Sequence, residues 1–327
     1  MPKLDHGVLV ISLDFELYWG VRDCCQMTDY QANLLGVHQA IPGMLEVFSR
    51  AGIHATWATV GLLFCQDRDG ALSASPARQP NYALPNLSPY RYMDSQQDLA
   101  PVYHFAPELV AAIGQTPGQE LASHTFSHYY CLEAGQSAED FRADLRAAQQ
   151  VAARAGHVLR SLVFPRNQWN AAYLSVLAEL GFRCYRGNES SWIYQATDSG
   201  QQNRLRRALR LLDSYVNLTG HHTHALAACV QDPVFNFPAS RFLRPYSPRL
   251  AALDGLRLRR ITRAMDDAAR HQRIFHLWWH PHNFGCNLPE NLAFLEKIVR
   301  HFHLLNQQYG MRSLSMAELA ALGESAQ

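Results

Sequence analysis

The stretch ISLDFELYWG, Ile11–Gly20, ends an apolar run with two carboxylates on alternate residues, Asp14 and Glu16. Side chains two apart on a strand share a face, about 6.6 Å apart along it, so core-like sequence aims two acids at one place. Further on, ASHTFSHYY carries His124 and His128. Imidazoles four apart meet on one face of a helical turn and can share a metal ion with a carboxylate as third ligand. FPRN places Arg166 after one apolar run, and WWHPHNFG places His280, His282 and Asn283 after another. Carboxylates, paired histidines, an arginine and a late histidine are the residue types of metal-assisted hydrolysis. Two other histidine groups compete. His276 and His280 are also four apart, but a strand would separate them by about 13 Å, too far for one ion. His221, His222 and His224 cluster with no carboxylate close in sequence.

These residues can meet only if the elements that carry them converge. Strand character is predicted over Gly7–Leu13, Ile53–Val60, Gln119–His124, Arg160–Pro165, Arg183–Gly187, Asn217–Thr223, Arg273–His280 and Met311–Ser315. Between them lie runs of helical period such as Asp140–Ala155, with Phe141, Leu145 and Ala148 on one face, and Pro289–Tyr309, entered through Asn287. Repeated strand-then-helix order implies parallel strands with right-handed crossovers. The expectation is an α/β fold, a single (β/α) barrel domain over residues 1–327 with seven or eight parallel strands. An open doubly wound sheet is the structural alternative, although no GxGxxG follows any strand. In a parallel barrel, chemistry sits at the carboxyl ends of the strands, and the motifs above stand there. Gln66–Pro107 is too long and too rich in Pro, Ser, Asn and Tyr for a plain connection, so it is expected to cap the carboxyl-end face; Gln231–Pro248 reads as a similar loop.

Composition narrows the class. With 48% hydrophobic residues in 327, the chain can bury a large core. A formal net charge of +1 argues against a nucleic-acid binder, yet all but two of the 29 basic residues, Lys3 and Lys297, are arginines. Arginine grips phosphate and carboxylate with a bidentate fork, so a local anion site is compatible with the neutral total. The seven cysteines are an odd number without CxxC spacing, which fits reduced thiols. The apolar run before Asp14, about seven residues, is too short for a signal-peptide core or a membrane span. The expected location is cytoplasmic, with no transmembrane segment.

With its motifs in this order, the sequence resembles the polysaccharide deacetylase family, carbohydrate esterase family 4, from about residue 7 to about residue 315. SLDFE looks like the first motif, SHTFSH the second, FPRN the third and WWHPH the last. The resemblance implies a distorted barrel and one divalent metal ion held by Glu16, His124 and His128, zinc by default, with cobalt, nickel and iron also suited to such ligands. It implies Asp14 as general base, oriented and kept ionised by Arg166, and His280 as general acid. His280 is preferred to His282 because it stands at the strand tip, whereas Pro281 redirects His282. The family's first motif is usually two adjacent aspartates, whereas Phe15 separates the acids here and the second is Glu, so either acid is a candidate ligand. QELASHTFSHYYCLE and HLWWHPHNFG look most like the branch associated with surface-glycan (O-antigen or capsule) biosynthesis.

The activity implied is removal of an N-acyl group, acetyl or formyl, from an amino sugar in a cytosolic glycan precursor, nucleotide-linked, lipid-linked or polymeric. Trp192 in NESSWIY resembles the family's aromatic wall, and Trp19, Tyr129 and Trp169 are candidates to stack on a sugar ring, with His282 also near the substrate. Arg241 and Arg244 in SRFLRPY are candidates to grip a phosphate. RLRRALR, 204–210, and RLRRITR, 257–263, are expected to be solvated helix faces. Two rival readings are a cyclic imide or ureide hydrolase of the same superfamily and a non-catalytic glycan-binding protein.

Overall fold

In the computed structural model, which describes residues 3–194 and 204–325, the first apolar run is a strand buried on both faces along its whole length, β1 (Val8–Phe15). Such all-apolar strands belong to parallel sheets with both faces covered. The others are β2 (Ala55–Thr59), β3 (Gln119–Ser123), β4 (Ser161–Val163), β5 (Cys184–Arg186), β6 (Phe235–Asn236), β7 (Arg241–Phe242), β8 (Ile274–Trp279) and β9 (Arg312–Ser313). Their order in the sheet is β6-β5-β4-β3-β2-β1-β8-β7, with β9 beside β1, and every pair of strands is parallel. The fold is an α/β barrel.

The segment from β6 to β7 joins the two edges of this sheet. Phe235, Phe237 and Ala239 donate their N–H groups to the carbonyls of Arg183, Tyr185 and Gly187 beside β5. Ser240 and Leu243 then donate to His276 and Trp278 of β8. This corrects two expectations. Gln231–Pro248 is not a loop, because its middle closes the barrel. Asn217–Thr223 is not a strand: it lies outside the sheet, and only His224 just beyond it makes a single antiparallel bridge, to Ile274.

The long helices follow their sequence periods. Ala138–Arg154 starts where the Ser137 hydroxyl accepts from the Asp140 N–H, and it buries Phe141, Leu145 and Ala148. Leu288–Tyr309 ends at Gly310, whose φ of 67° is the left-handed C-cap that glycine adopts without strain. Within Gln66–Pro107 the chain forms short helices, Arg68–Ala74, Pro89–Ser95 and Pro101–His104, and its Leu84–Leu87 portion lies against the carboxyl-end cleft. Arg22 fastens that portion by donating to the Asn86 carbonyl at 2.5 Å and to the Leu87 carbonyl. Among the described residues, no helix is long and apolar enough to cross a membrane.

Candidate active site

Glu16 stands one residue past β1, and His124 one residue past β3. Both imidazoles of SHTFSH turn toward the Glu16 carboxylate: His124 Nε2 lies 3.3 Å and His128 Nε2 3.1 Å from the same oxygen, Oε2. All three side chains are buried, and their ligand atoms lie within 4.8 Å of one another. The two histidines do not share a helical turn as the spacing suggested. The segment is irregular, with Thr125 and His128 at φ 63° and 59°. It is held from outside by Asp144, which accepts from the Phe126 N–H at 2.6 Å and from the Ser127 hydroxyl. Thr125 Oγ1 accepts from the Tyr129 N–H at 2.7 Å.

The donor set fits a divalent cation. His124 Nδ1 must donate to the Val163 carbonyl, 2.9 Å away, so a neutral ring presents a bare Nε2 to a carboxylate oxygen. Lone pair facing lone pair in a buried site is repulsive unless a cation lies between, and an outer N–H to a carbonyl is the usual way a ligating imidazole is oriented. Burial holds His128 below its ordinary pKa against the opposing pull of Glu16, which favours the neutral ligand form. Burial alone would raise the Glu16 carboxyl, but His280, His124 and His128 outweigh it and hold it well below the usual range. Gly20 makes room for this carboxylate: a Cβ there would lie 2.0 Å from Glu16 Cδ.

Asp14 is held apart from the trio. Arg186, the last residue of β5, reaches across the barrel and donates Nη1 to Oδ1 at 2.6 Å and Nη2 to Oδ2 at 2.7 Å, with a further bond from Nη1 to Ser12 Oγ at 2.9 Å. Burial would push the Asp14 carboxyl up, but Arg186, with His124 and His280, brings it below its ordinary value. With both oxygens engaged by one guanidinium, Asp14 is the acid beside the trio and Glu16 the acid within it. Arg166 is therefore not the arginine on Asp14. It pairs with Asp23 at 2.6 Å and lies over the Tyr130 ring, because φ of 53° at Arg166 and 54° at Asn167 turn its side chain to the cleft rim. Asn167 serves Arg186 instead, accepting from Nη2 at 3.0 Å. Sequence reasoning missed Arg186, although an arginine ending the buried strand CYR was a signal, since a buried charge requires a partner.

Asp14, Glu16 and His128 line a cleft of about 620 Å³, and His124 is fully buried beside them. His280 Nε2 lies 3.6 Å from Glu16 Oε1 and 3.8 Å from Asp14 Oδ2, with its side chain partly open to the cleft. His282 stacks behind it, centroids 4.8 Å apart, with Nδ1 3.9 Å from Glu16 Oε1; burial, then His280, lower it to about 3. The strand geometry keeps His276 away: it is core, bonded to Ser12 Oγ and the Phe237 carbonyl. His221, His222 and His224 form no metal-ligand group among the described residues; His222 bonds Ser190 and Thr219.

The proposed sugar-stacking aromatics are not on the cleft wall. Trp19 is buried and gives its indole N–H to the His104 carbonyl, and Tyr129 is buried with its hydroxyl on Gln136 and Ser137. Trp169 packs against Tyr185 in the core margin. Trp192 is 54% exposed beside Arg206, outside the cleft lining. The cleft aromatics are Trp278, Phe242 and Tyr194, and Trp278 lies flat under the Arg186 guanidinium at 4.2 Å. Arg241 is buried and donates to Asp213 at 2.5 Å, while Arg244 donates to Ser214 Oγ at 2.7 Å. Arg257 and Arg260 are buried too, contrary to the expected solvated face: Arg257 lies over the Phe294 ring and Arg260 bonds the Asp213 and Gly220 carbonyls.

The barrel thus places a buried carboxylate and two histidines able to hold a metal ion, a carboxylate–arginine pair and a further histidine together at its strand ends. Residues 34–185 match the family model of polysaccharide deacetylase, a span that contains SHTFSH and FPRN and supports a hydrolase acting on amide bonds. A Mycobacterium smegmatis protein assigned as a polysaccharide deacetylase is similar in fold, with TM-score 0.59 and 15% identity, covering 98% of this chain and 91% of that one. A Pseudomonas aeruginosa PAO1 protein with the same assignment gives TM-score 0.58 and 12% identity over 98% and 92%. Puue allantoinase gives TM-score 0.55 and 11% identity over 98% and 91%. At such identities the likeness speaks to the fold. No curated protein sequence matches the chain.

Proposed function

We propose that this chain is a member of the polysaccharide deacetylase family that removes an N-acyl group, acetyl or formyl, from an amino sugar, and that it depends on one divalent metal ion. The observation that carries the reading is the convergence of Glu16, His124 and His128 with the Asp14–Arg186 pair and His280 around one cleft. Zinc is the natural first choice for two imidazoles and a carboxylate; bound there, it would polarise the acyl carbonyl and acidify an attacking water. Asp14 takes the proton of that water, and Arg186 keeps Asp14 ionised and aimed. His280 faces the other oxygen of Glu16, Oε1, from the one that His124 and His128 share, and gives a proton to the departing amine. In this reading the substrate is a glycan precursor met in the cytoplasm, as in the surface-glycan branch that the motifs resemble.

The test is release of acetate or formate from a panel of N-acyl amino sugars by zinc-loaded protein, compared with Asp14→Asn. The expected outcome is turnover that Asp14→Asn lowers by about 10²–10⁴-fold while its metal content is unchanged. Undiminished turnover by Asp14→Asn would overturn the role of Asp14. Turnover of hydantoin-like rings alone would move the assignment to a cyclic ureide hydrolase, and metal-free sugar binding without acyl release would move it to a glycan-binding protein.

A further inference from the structure

The cleft does not end at His280. It opens into a second cavity of about 430 Å³, and Asn167, Tyr194, Arg207, Arg210, Phe242 and Trp278 line both. Beyond Trp278 the wall becomes cationic. Arg207 and Arg210, from the helix Arg204–Asp213, share it with Arg241 and Arg244 from the barrel-closing segment. Arg241 is neutralised by Asp213. The other three differ: among the described residues no carboxylate lies within ion-pair distance of Arg207, Arg210 or Arg244, and the buried Nε of Arg210 has no hydrogen-bond partner. Among the described residues lining this cavity the one acid is Glu189, buried, accepting from the Trp278 indole N–H and outside ion-pair distance of Arg207, Arg210 and Arg244; burial raises its carboxyl pKa.

Three guanidiniums with no ion-pair partner among the described residues stand around one cavity, Arg210 and Arg244 half-buried and Arg207 exposed, and they repel one another unless an anion joins them. Guanidinium forks match phosphoryl oxygens in geometry and make charge-assisted bonds to them. Three positive charges are balanced by a group carrying two or more negative ones, which a diphosphate does and a single carboxylate does not. We propose that this cavity binds a phosphoryl group, a diphosphate by charge balance, attached to the sugar whose acyl group reaches the Glu16–His124–His128 end of the cleft. The sugar part of this inference rests on the deacylase reading above; the anion site stands on the arginines alone. Trp278 and Phe242 lie between the two ends, where the sugar ring would bridge them.

The probe is inorganic pyrophosphate, titrated calorimetrically into wild type, His128→Ala, Arg210→Gln and Arg244→Gln, with folding of each variant checked by circular dichroism. Binding by wild type and His128→Ala alike is expected, which separates the site from the metal centre. Each arginine variant is expected to bind at least about tenfold more weakly, the loss of one charge-assisted hydrogen bond. Undiminished binding by an Arg210→Gln/Arg244→Gln double variant, no binding by wild type, or preference for glucuronate over pyrophosphate would overturn the proposal. Turnover tells the sources apart: a nucleoside-diphosphate sugar or a polyprenyl-diphosphate sugar deacylated in preference to the free sugar supports the proposal, and preference for the free sugar overturns it. Pyrophosphate held by the arginines with no N-acyl sugar turned over would overturn the deacylase reading and leave the anion site standing. Deacylation with no pyrophosphate binding would do the reverse.

Discussion

At the scale of single residues, the site separates two carboxylates by their partners. Asp14 is locked by Arg186 through two parallel hydrogen bonds, and Glu16 faces two imidazoles. Removing one partner of a buried pair strands the other, so Arg186→Gln is expected to lower stability by about 3–5 kcal/mol. The Asp14→Asn/Arg186→Gln double variant should regain part of that loss, and chemical denaturation of the four-member cycle measures it. Arg166→Gln, which removes the contacts to the Asp23 carboxylate and the Tyr130 ring at the cleft rim, is expected to cost less activity than Arg186→Gln in the same acyl-release assay. The contact at Gly20 gives a sharper test. Because a Cβ there would overlap the Glu16 carboxylate, Gly20→Ala should displace that carboxylate and lower bound metal toward the level of His128→Ala, as read by elemental analysis.

At the scale of elements, the histidine motif depends on a helix that supplies no ligand. Asp144, on Ala138–Arg154, accepts from the Phe126 N–H and the Ser127 hydroxyl, and burial pushes its carboxyl up to about 6. The turn it holds carries left-handed conformations at Thr125 and His128, which non-glycine residues keep only when their surroundings impose them. Asp144→Ala leaves the Phe126 N–H and the Ser127 and Tyr90 hydroxyls without this acceptor, a cost of about 1–3 kcal/mol for each donor left unmet, and is expected to weaken metal retention on dialysis although Asp144 is no ligand. Asp144→Asn retains an acceptor and should lie between the wild type and the alanine variant. Helix Ala138–Arg154 itself was legible from the spacing of Phe141, Leu145 and Ala148. The turn was not, because its shape comes from bonds to a helix that begins about ten residues downstream and from no local period.

At the scale of the whole molecule, the barrel interior carries polar groups that tie its strands together. His276 of β8 donates through Nδ1 to the Phe237 carbonyl of the closing segment and accepts at Nε2 from Ser12 of β1. Burial, reinforced by Arg186, lowers it to about 3. A histidine with a depressed folded pKa takes up a proton in the unfolded chain first. The stability that depends on its neutral form is therefore complete above the unfolded value of about 6.5 and falls as pH drops toward the folded one. Between pH 7 and pH 5 this residue alone is expected to remove about 2 kcal/mol. Denaturant titration at the two pH values, compared with His276→Gln, measures the difference, and an equal acid loss in the variant would exclude His276 as its source.

What the sequence determined by itself was Asp14, Glu16, His124, His128 and His280, with Arg186 not among them, and the strands that carry them to one end of a barrel. Asp14, Glu16 and His280 stand at or just past the ends of the apolar strands β1 and β8, where burial writes a readable local run, and His124 and His128 follow β3 in the SHTFSH motif. Tertiary structure alone decided which groups became partners. Arg186 meets Asp14 by reaching from β5 across the barrel to β1, whereas Arg166, two backbone left turns away from that line, faces Asp23. It also decided that the Phe235–Leu243 segment closes the barrel, since a run broken by Pro238 becomes sheet only when two exposed strand edges lie within hydrogen-bonding reach. And it decided which aromatics face the cleft: Trp278 and Trp279 are neighbours in sequence on opposite faces of β8, one under Arg186 and the other in the core. Partner choice depends on distances between residues far apart in the chain, and no local pattern encodes those.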